Sequence, residues 1–185
     1  TSGLAQRRLA LLGNPNCGKT ALFNRLTGSQ QKVANYAGVT VELKRGLTKT
    51  TAGRSVTVID LPGTYSLNAS SQDEAVACAV VLGQSLREKA PDLTAVVLDA
   101  TRLRRGLRLV AALKRQGVPM VVVINMMDRV RAQGRDLDVA RLEVALGVPV
   151  VEATGISVQG TDALRKVLDR DDLWHQPRPE STALQ

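Results

Sequence analysis

At 185 residues the chain has room for one domain with a sizeable core. Hydrophobic residues make up 44% and charged residues 23%, ordinary for a globular fold, but aromatics are only 2%, so the core must be built from Val, Leu, Ala and Ile. A net charge of +8 invites an anionic partner, yet the lack of aromatic stacking platforms argues against single-stranded nucleic acid, and no apolar run has the length of a membrane span or a secretory leader.

Residues 1–7 read as a flexible start, and the apolar run 9–12 as a strand. That run enters Gly13-Asn14-Pro15-Asn16-Cys17-Gly18-Lys19-Thr20, and a helix-compatible stretch opens at Ala21 with Leu22, Phe23 and Leu26. Strand, glycine loop and helix form the context in which G-x-x-x-x-G-K-[ST] binds phosphate. Its glycines let successive backbone N–H groups point at phosphate oxygens, and the helix N-terminus adds its dipole. Lys19 offers a point charge for β- and γ-phosphates, and Thr20 a hydroxyl for Mg²⁺. Cys17 is either a reactive thiol of lowered pKa or a small filler, and the filler is the simpler reading.

Residues 28–40 are polar, without a clear period, and are expected to form a mobile loop. Strands are expected at 41–48 and 54–60, joined by a hairpin turn at 49–53. Thr40, at the end of the mobile loop, can supply a second hydroxyl to Mg²⁺ when a γ-phosphate is present. Asp60-Leu61-Pro62-Gly63 closes the second of those strands at the carboxyl edge, where open α/β sheets bind ligands. There Asp60 can hold Mg²⁺, and Gly63 can bring a bare backbone N–H to the γ-phosphate.

A helical pattern at 73–88, a buried strand at 94–98 and a helix at 103–113 with a basic outer face come next. A strand at 120–124 then delivers Asn125-Met126-Met127-Asp128. In such an N-x-x-D loop the carboxylate can accept from guanine N1–H and the 2-amino group together, a donor pair that adenine lacks. A helix at 137–146, a short strand at 148–151 and a helix at 161–168 complete an α/β alternation with a largely parallel sheet. Residues 171–185, with two prolines and the lone His175, read as a linker or tail. Cys17 and Cys78 do not make a disulfide framework, which fits a reducing compartment.

Together G-N-P-N-x-G-K-T, G-V-T-V-E at 38–42, D-L-P-G-T-Y-S-L at 60–67, D-A-T-R-L at 99–103 and N-M-x-D at 125–128 resemble the cytoplasmic GTPase domain of the ferrous iron transport protein B (FeoB) family, over about 8–168. The resemblance implies a Ras-like P-loop GTPase fold, a mostly parallel six- or seven-stranded sheet flanked by helices, over 8–170. It implies GTP and GDP as ligands, with Mg²⁺ held by Thr20, Thr40 and Asp60. Nucleotide contacts would come from residues 13–21, including Ala21, from Gly38, Val39 and Thr40, from 60–63, from Asn125, Met126 and Asp128, and from Ala153, Thr154 and Gly155. Tyr36 stands where the family usually has Trp, and Ala153-Thr154-Gly155 where it often has S-A-x.

Hydrolysis would rest on Asn16, Lys19, Thr40 and Gly63. It is expected to be slow, because Thr64 occupies the place of the water-orienting glutamine of Ras-like enzymes. Potassium-activated relatives suggest K⁺ on Asn16 and the carbonyls of Ala34 and Tyr36. The partner implied is a membrane permease domain in the same full-length protein, which would put this domain at the cytoplasmic face of a bacterial inner membrane. The chain here would be an excised piece, free to self-associate, with no nucleic acid expected. A ribosome-assembly GTPase that binds RNA is the alternative that the basic charge would suit, and a nucleotide holder without turnover is a third.

Overall fold

The computed structural model describes residues 6–154 and 158–174. Seven strands form one sheet in the order β2-β3-β4-β1-β5-β6-β7: β1 (Arg7–Gly13), β2 (Gln31–Asn35), β3 (Glu42–Lys49), β4 (Ser55–Asp60), β5 (Leu93–Asp99), β6 (Met120–Asn125) and β7 (Val150–Glu152). Strands β4, β1, β5, β6 and β7 run parallel, and β3 and β2 are added antiparallel at one edge. The chain fills the sheet on one side of β1 and then crosses to the other, which puts the switch point, and hence the crevice for a ligand, at the carboxyl end of β1.

The period-2 alternation of the central strands sorts the core into two layers. Ala10, Leu12, Ile59, Val96, Leu98, Val122 and Ile124 face α2 (Gln72–Val81) and α3 (Leu103–Arg115), whose Val76, Val80, Leu109 and Leu113 are buried. Leu9, Leu11, Val58, Ala95, Val97, Val121 and Val123 face α1 (Lys19–Thr27) and α6 (Asp162–Val167). Burial on both sides is why these parallel strands read as unbroken apolar runs.

Several expected elements are corrected. Residues 28–40 are not a loop throughout: Gln31–Asn35 pair with β3, with Ala34 opposite Leu43. As an exposed edge strand, β2 needs no apolar face, so no period betrays it. The helix expected over 73–88 stops at Val81, and Gly83 at φ 72° turns the chain away. A short helix, α4 (Met127–Ala132), precedes α5 (Val139–Leu146), which starts at its N-cap Asp138 rather than at Leu137. β1 begins inside the expected flexible start, at Arg7.

The expected tail also opens as structure. Residues Asp171–Trp174 form α7, with Leu173 and Trp174 buried in the second layer. The Trp174 indole N–H donates to the Leu168 carbonyl at 2.9 Å, the Arg7 guanidinium lies over its ring, and Asp171 pairs with Arg7 and Arg54. His175 lies outside the described residues.

Candidate phosphate and base site

The loop after β1 is shaped by two residues in left-handed backbone, Asn16 at φ 64° and Gly18 at φ 85°. Gly18 admits no side chain: besides the strain at that φ, a Cβ there would collide with the Asn125 amide. Lys19 opens α1, and its ammonium pairs with the Asp60 carboxylate at the end of β4; the two are 8% and 7% exposed. Thr20 Oγ1 donates to Asp60 Oδ2 at 3.4 Å.

Two further contacts bolt the loops together. The Thr64 N–H donates to the Gly13 carbonyl at 2.9 Å, which lays residues 60–64 along the phosphate loop. That approach favours Gly63, since a Cβ there would press on the Pro15 backbone at 3.0 Å. From β6, the Asn125 side-chain amide donates to the Cys17 carbonyl at 3.1 Å, while its oxygen accepts from the Met126 N–H at 3.0 Å. Asn125, 9% exposed, thus joins two loops 108 residues apart.

These joints frame two clefts. One, of about 490 Å³, is walled by Gly18, Ala21, Asn24, Arg25, Asn125, Met126, Asp128 and Arg129. Its shape and chemistry suit a planar heterocycle: Met126 gives a polarizable apolar surface, and the exposed Asp128 two acceptor oxygens. The other, of about 240 Å³, lies against Asn14–Cys17 and is closed by Tyr65, Asp99, Thr101 and the arginines Arg102, Arg105 and Arg129.

The expected site residues divide accordingly. Gly13 through Ala21, Asp60, Leu61, Pro62, Gly63, Asn125, Met126 and Asp128 are brought to one edge of the sheet. Ala153 is buried beside them, its N–H donating to the Ile124 carbonyl at 2.9 Å; Thr154 is exposed, and Gly155 lies outside the described residues. Gly38, Val39 and exposed Thr40 sit in the turn between β2 and β3, where a Cβ on Gly38 would meet the Arg87 guanidinium, and they line neither cleft. Arg102, Arg105, Arg129 and Asn24 escaped sequence reasoning. Arg105, Arg129 and Asn24 are marked by no motif, and Arg102 stands in D-A-T-R-L with no role attached, until the fold gathers them.

Mg²⁺ and K⁺ fare differently. Mg²⁺ takes one or two protein oxygens and completes its shell from water and phosphate, and the Thr20–Asp60 pair offers that donor set on adjoining loops. The potassium set is not assembled. Tyr36 N–H donates to the Val41 carbonyl at 2.6 Å and Leu47 N–H to the Gln30 carbonyl at 3.2 Å, so alternation makes Ala34–Leu43 a hydrogen-bonded pair, and the Ala34 carbonyl belongs to the ladder. The Tyr36 carbonyl accepts from the Val39 N–H at 3.3 Å within the turn.

Cys17 is the filler, not the reactive thiol. It is 2% exposed, and burial pushes its thiol up, against smaller lowering from the backbone N–H of Lys19 and the Lys19 charge. Folded Cys17 should therefore alkylate with iodoacetamide far more slowly at pH 8 than the urea-unfolded chain, as mass spectrometry would read. Equal rates would overturn the assignment. A thiol raised by folding also contributes stability that is complete below the unfolded value, about 8.5, and is lost as pH rises through the folded one.

The model of the family described as ferrous iron transport protein B matches residues 7–168. Among curated relatives, the Fe(2+) transporter FeoB of Salmonella typhimurium is 44% identical over 166 residues, 88% of this chain, and that of Escherichia coli K12 is 43% identical over the same length. The chain spans 21% of the length of those relatives. Among solved structures, the G domain of the T. maritima FeoB iron transporter superposes with a TM-score of 0.77 at 34% identity, over 92% of this chain and 99% of that one. An S. thermophilus NFeoB variant bound to GDP gives 0.76 at 38%, over 89% and 59%.

Proposed function

The chain belongs to the ferrous iron transport protein B family and has its Ras-like P-loop GTPase fold, and from that premise we propose that it binds guanine nucleotide and hydrolyses GTP, as the regulatory domain of a ferrous iron permease carried by the same full-length protein. The observation that carries the reading is the junction at the carboxyl edge of the sheet, where Asn125 and Thr64 tie the N-x-x-D and D-x-x-G loops to the phosphate loop. A relative of the same fold bound to GDP supports the choice of ligand.

In this reading Asp128 takes the guanine N1–H and amino group, and the backbone of Asn14–Thr20 takes the β-phosphate. Lys19 leaves Asp60 for the β- and γ-phosphates, and Thr20 and Asp60 hold Mg²⁺, which when bound neutralises charge on the phosphate oxygens. The Gly63 N–H serves the γ-phosphate and Thr40 joins it when its turn folds inward. The domain then sits at the cytoplasmic face of a bacterial inner membrane, beside the permease that the membrane holds. Among the described residues no helix is long and apolar enough to cross a membrane, so the permease is supplied by other segments.

Turnover by the chain alone is slow. Thr64 is fully buried, its hydroxyl donated to the Ser66 carbonyl at 2.7 Å, so it cannot orient a water as a glutamine would. Tyr65 reaches the smaller cleft but carries no amide. Potassium on Asn16 is the proposed remedy, and it requires residues 34–36 to leave β2. Single-turnover GTP hydrolysis in KCl and in NaCl at equal ionic strength tests both steps. The wild type should hydrolyse faster in KCl, and Asn16→Ala should lose the difference. Equal wild-type rates in the two salts rule out potassium, and no GTP hydrolysis in either rules out the enzyme.

A further inference from the structure

The smaller cleft carries three arginines that the proposed nucleotide contacts do not use. Arg102, Arg105 and Arg129 converge on it from the start of α3 and from α4, and none of them has a hydrogen-bonded or ion-paired side chain among the described residues. Several arginines elsewhere are neutralised: Arg8 and Arg45 share Glu88, Arg7 and Arg54 share Asp171, and Arg131 grips Glu152. Arg104, Arg108 and Arg115 on α3 also have no ion pair among the described residues, but they line neither cleft. The one carboxylate in the cleft wall, Asp99, is turned to local work, its Oδ1 accepting from the Thr101 N–H at 2.8 Å and hydroxyl at 2.6 Å. Three guanidinium groups facing a small polar hollow form a site for an oxyanion, because planar forks of N–H donors match phosphate oxygens.

A second observation narrows the anion. The wall also contains Asn14–Cys17 of the phosphate loop itself, so the cleft adjoins the loop on which a γ-phosphate would be cleaved. We propose that this cleft is a subsite for inorganic phosphate, which receives the product of hydrolysis while GDP is still bound. The proposal rests on the hydrolytic reading above.

The test uses the protein loaded with GDP, with sodium phosphate as probe and sodium chloride as comparison at constant ionic strength, followed by calorimetry. GDP affinity is measured first with a fluorescent analogue. Phosphate should bind the GDP-loaded wild type saturably, and chloride should not. Arg102→Ala/Arg105→Ala should weaken phosphate at least about tenfold, the loss expected from a charge-assisted hydrogen bond, with GDP affinity unchanged. Both arginines are exposed, so the double variant should fold, as circular dichroism would verify. Equal phosphate binding by variant and wild type, no saturable binding, or binding only by displacing GDP would each overturn the subsite. No GDP binding would overturn the nucleotide reading as well, whereas GDP binding without phosphate binding sinks the subsite alone.

Discussion

Lys19→Met should lower the unfolding free energy by about 3 kcal/mol and weaken GDP at least about a hundredfold, one substitution with two separable effects. The stability loss follows from burial. Lys19 and Asp60 are 8% and 7% exposed, and removing the ammonium leaves the Asp60 carboxylate in low dielectric with only Thr20 at 3.4 Å. The affinity loss follows from the phosphates, which lose a charged donor at the head of α1. Lys19→Met/Asp60→Asn separates the two: with both charges gone, no orphan remains. Most of the stability should return while GDP binding stays poor. Urea unfolding and GDP titration of the three proteins give the three stabilities and three affinities needed. A single-variant loss below about 1 kcal/mol, the range of an exposed pair, would mean that the pair is open to water in solution.

How much of this was legible beforehand depends on what each segment had to bury. β1, β5 and β6 announce themselves because both faces are covered and their central runs, 9–12, 95–98 and 120–124, are apolar throughout. β2 is invisible for the opposite reason: Lys32, Val33, Ala34 and Asn35 are exposed, so only pairing with β3 defines it. α4 is six residues with Met127 alone buried, too short for a period to show. α7 did leave a trace. The chain's single Trp follows Asp171-Asp172-Leu173, and in a sequence with 2% aromatics a tryptophan is more useful to a core than to a tail.

The site shows the same division. The phosphate loop, D-x-x-G and N-x-x-D were readable because each needs fixed residue types at fixed local spacing. Their mutual fastening was only half visible. Asn125 looks like a base-contacting residue in the motif, but here it spends both ends of its amide on Cys17 and Met126, as a strut between loops. The arginines of the smaller cleft were not readable as a group: Arg102 stood in D-A-T-R-L without a role, and it meets Arg129 only through the β5–β6 register.

That division of labour decides what Asp128→Asn should do. Asp128 is exposed on the wall of the larger cleft, and among the described residues it makes no hydrogen bond or ion pair. The loop that carries it is held by Asn125 instead, so the substitution should leave stability within about 0.5 kcal/mol of wild type, as for a surface change. Nucleotide choice should change sharply. The carboxylate accepts from guanine N1–H and from its 2-amino group. An asparagine keeps one acceptor but turns an N–H toward that amino group, donor against donor. A polar site left mismatched in this way discriminates by roughly 10⁴ or more. Xanthine has a carbonyl where guanine has the amino group, so the same amide now fits, donor to carbonyl and oxygen to N1–H. In competition against a labelled guanine nucleotide, wild type should prefer GTP over both XTP and ATP; with labelled xanthine nucleotide, the variant should prefer XTP over GTP. ATP should stay weak in both, because neither side chain meets adenine's donor-poor edge. If ATP competes as well as GTP with the wild type, or if the variant keeps its preference for GTP, then Asp128 does not read the base and the larger cleft is not its seat.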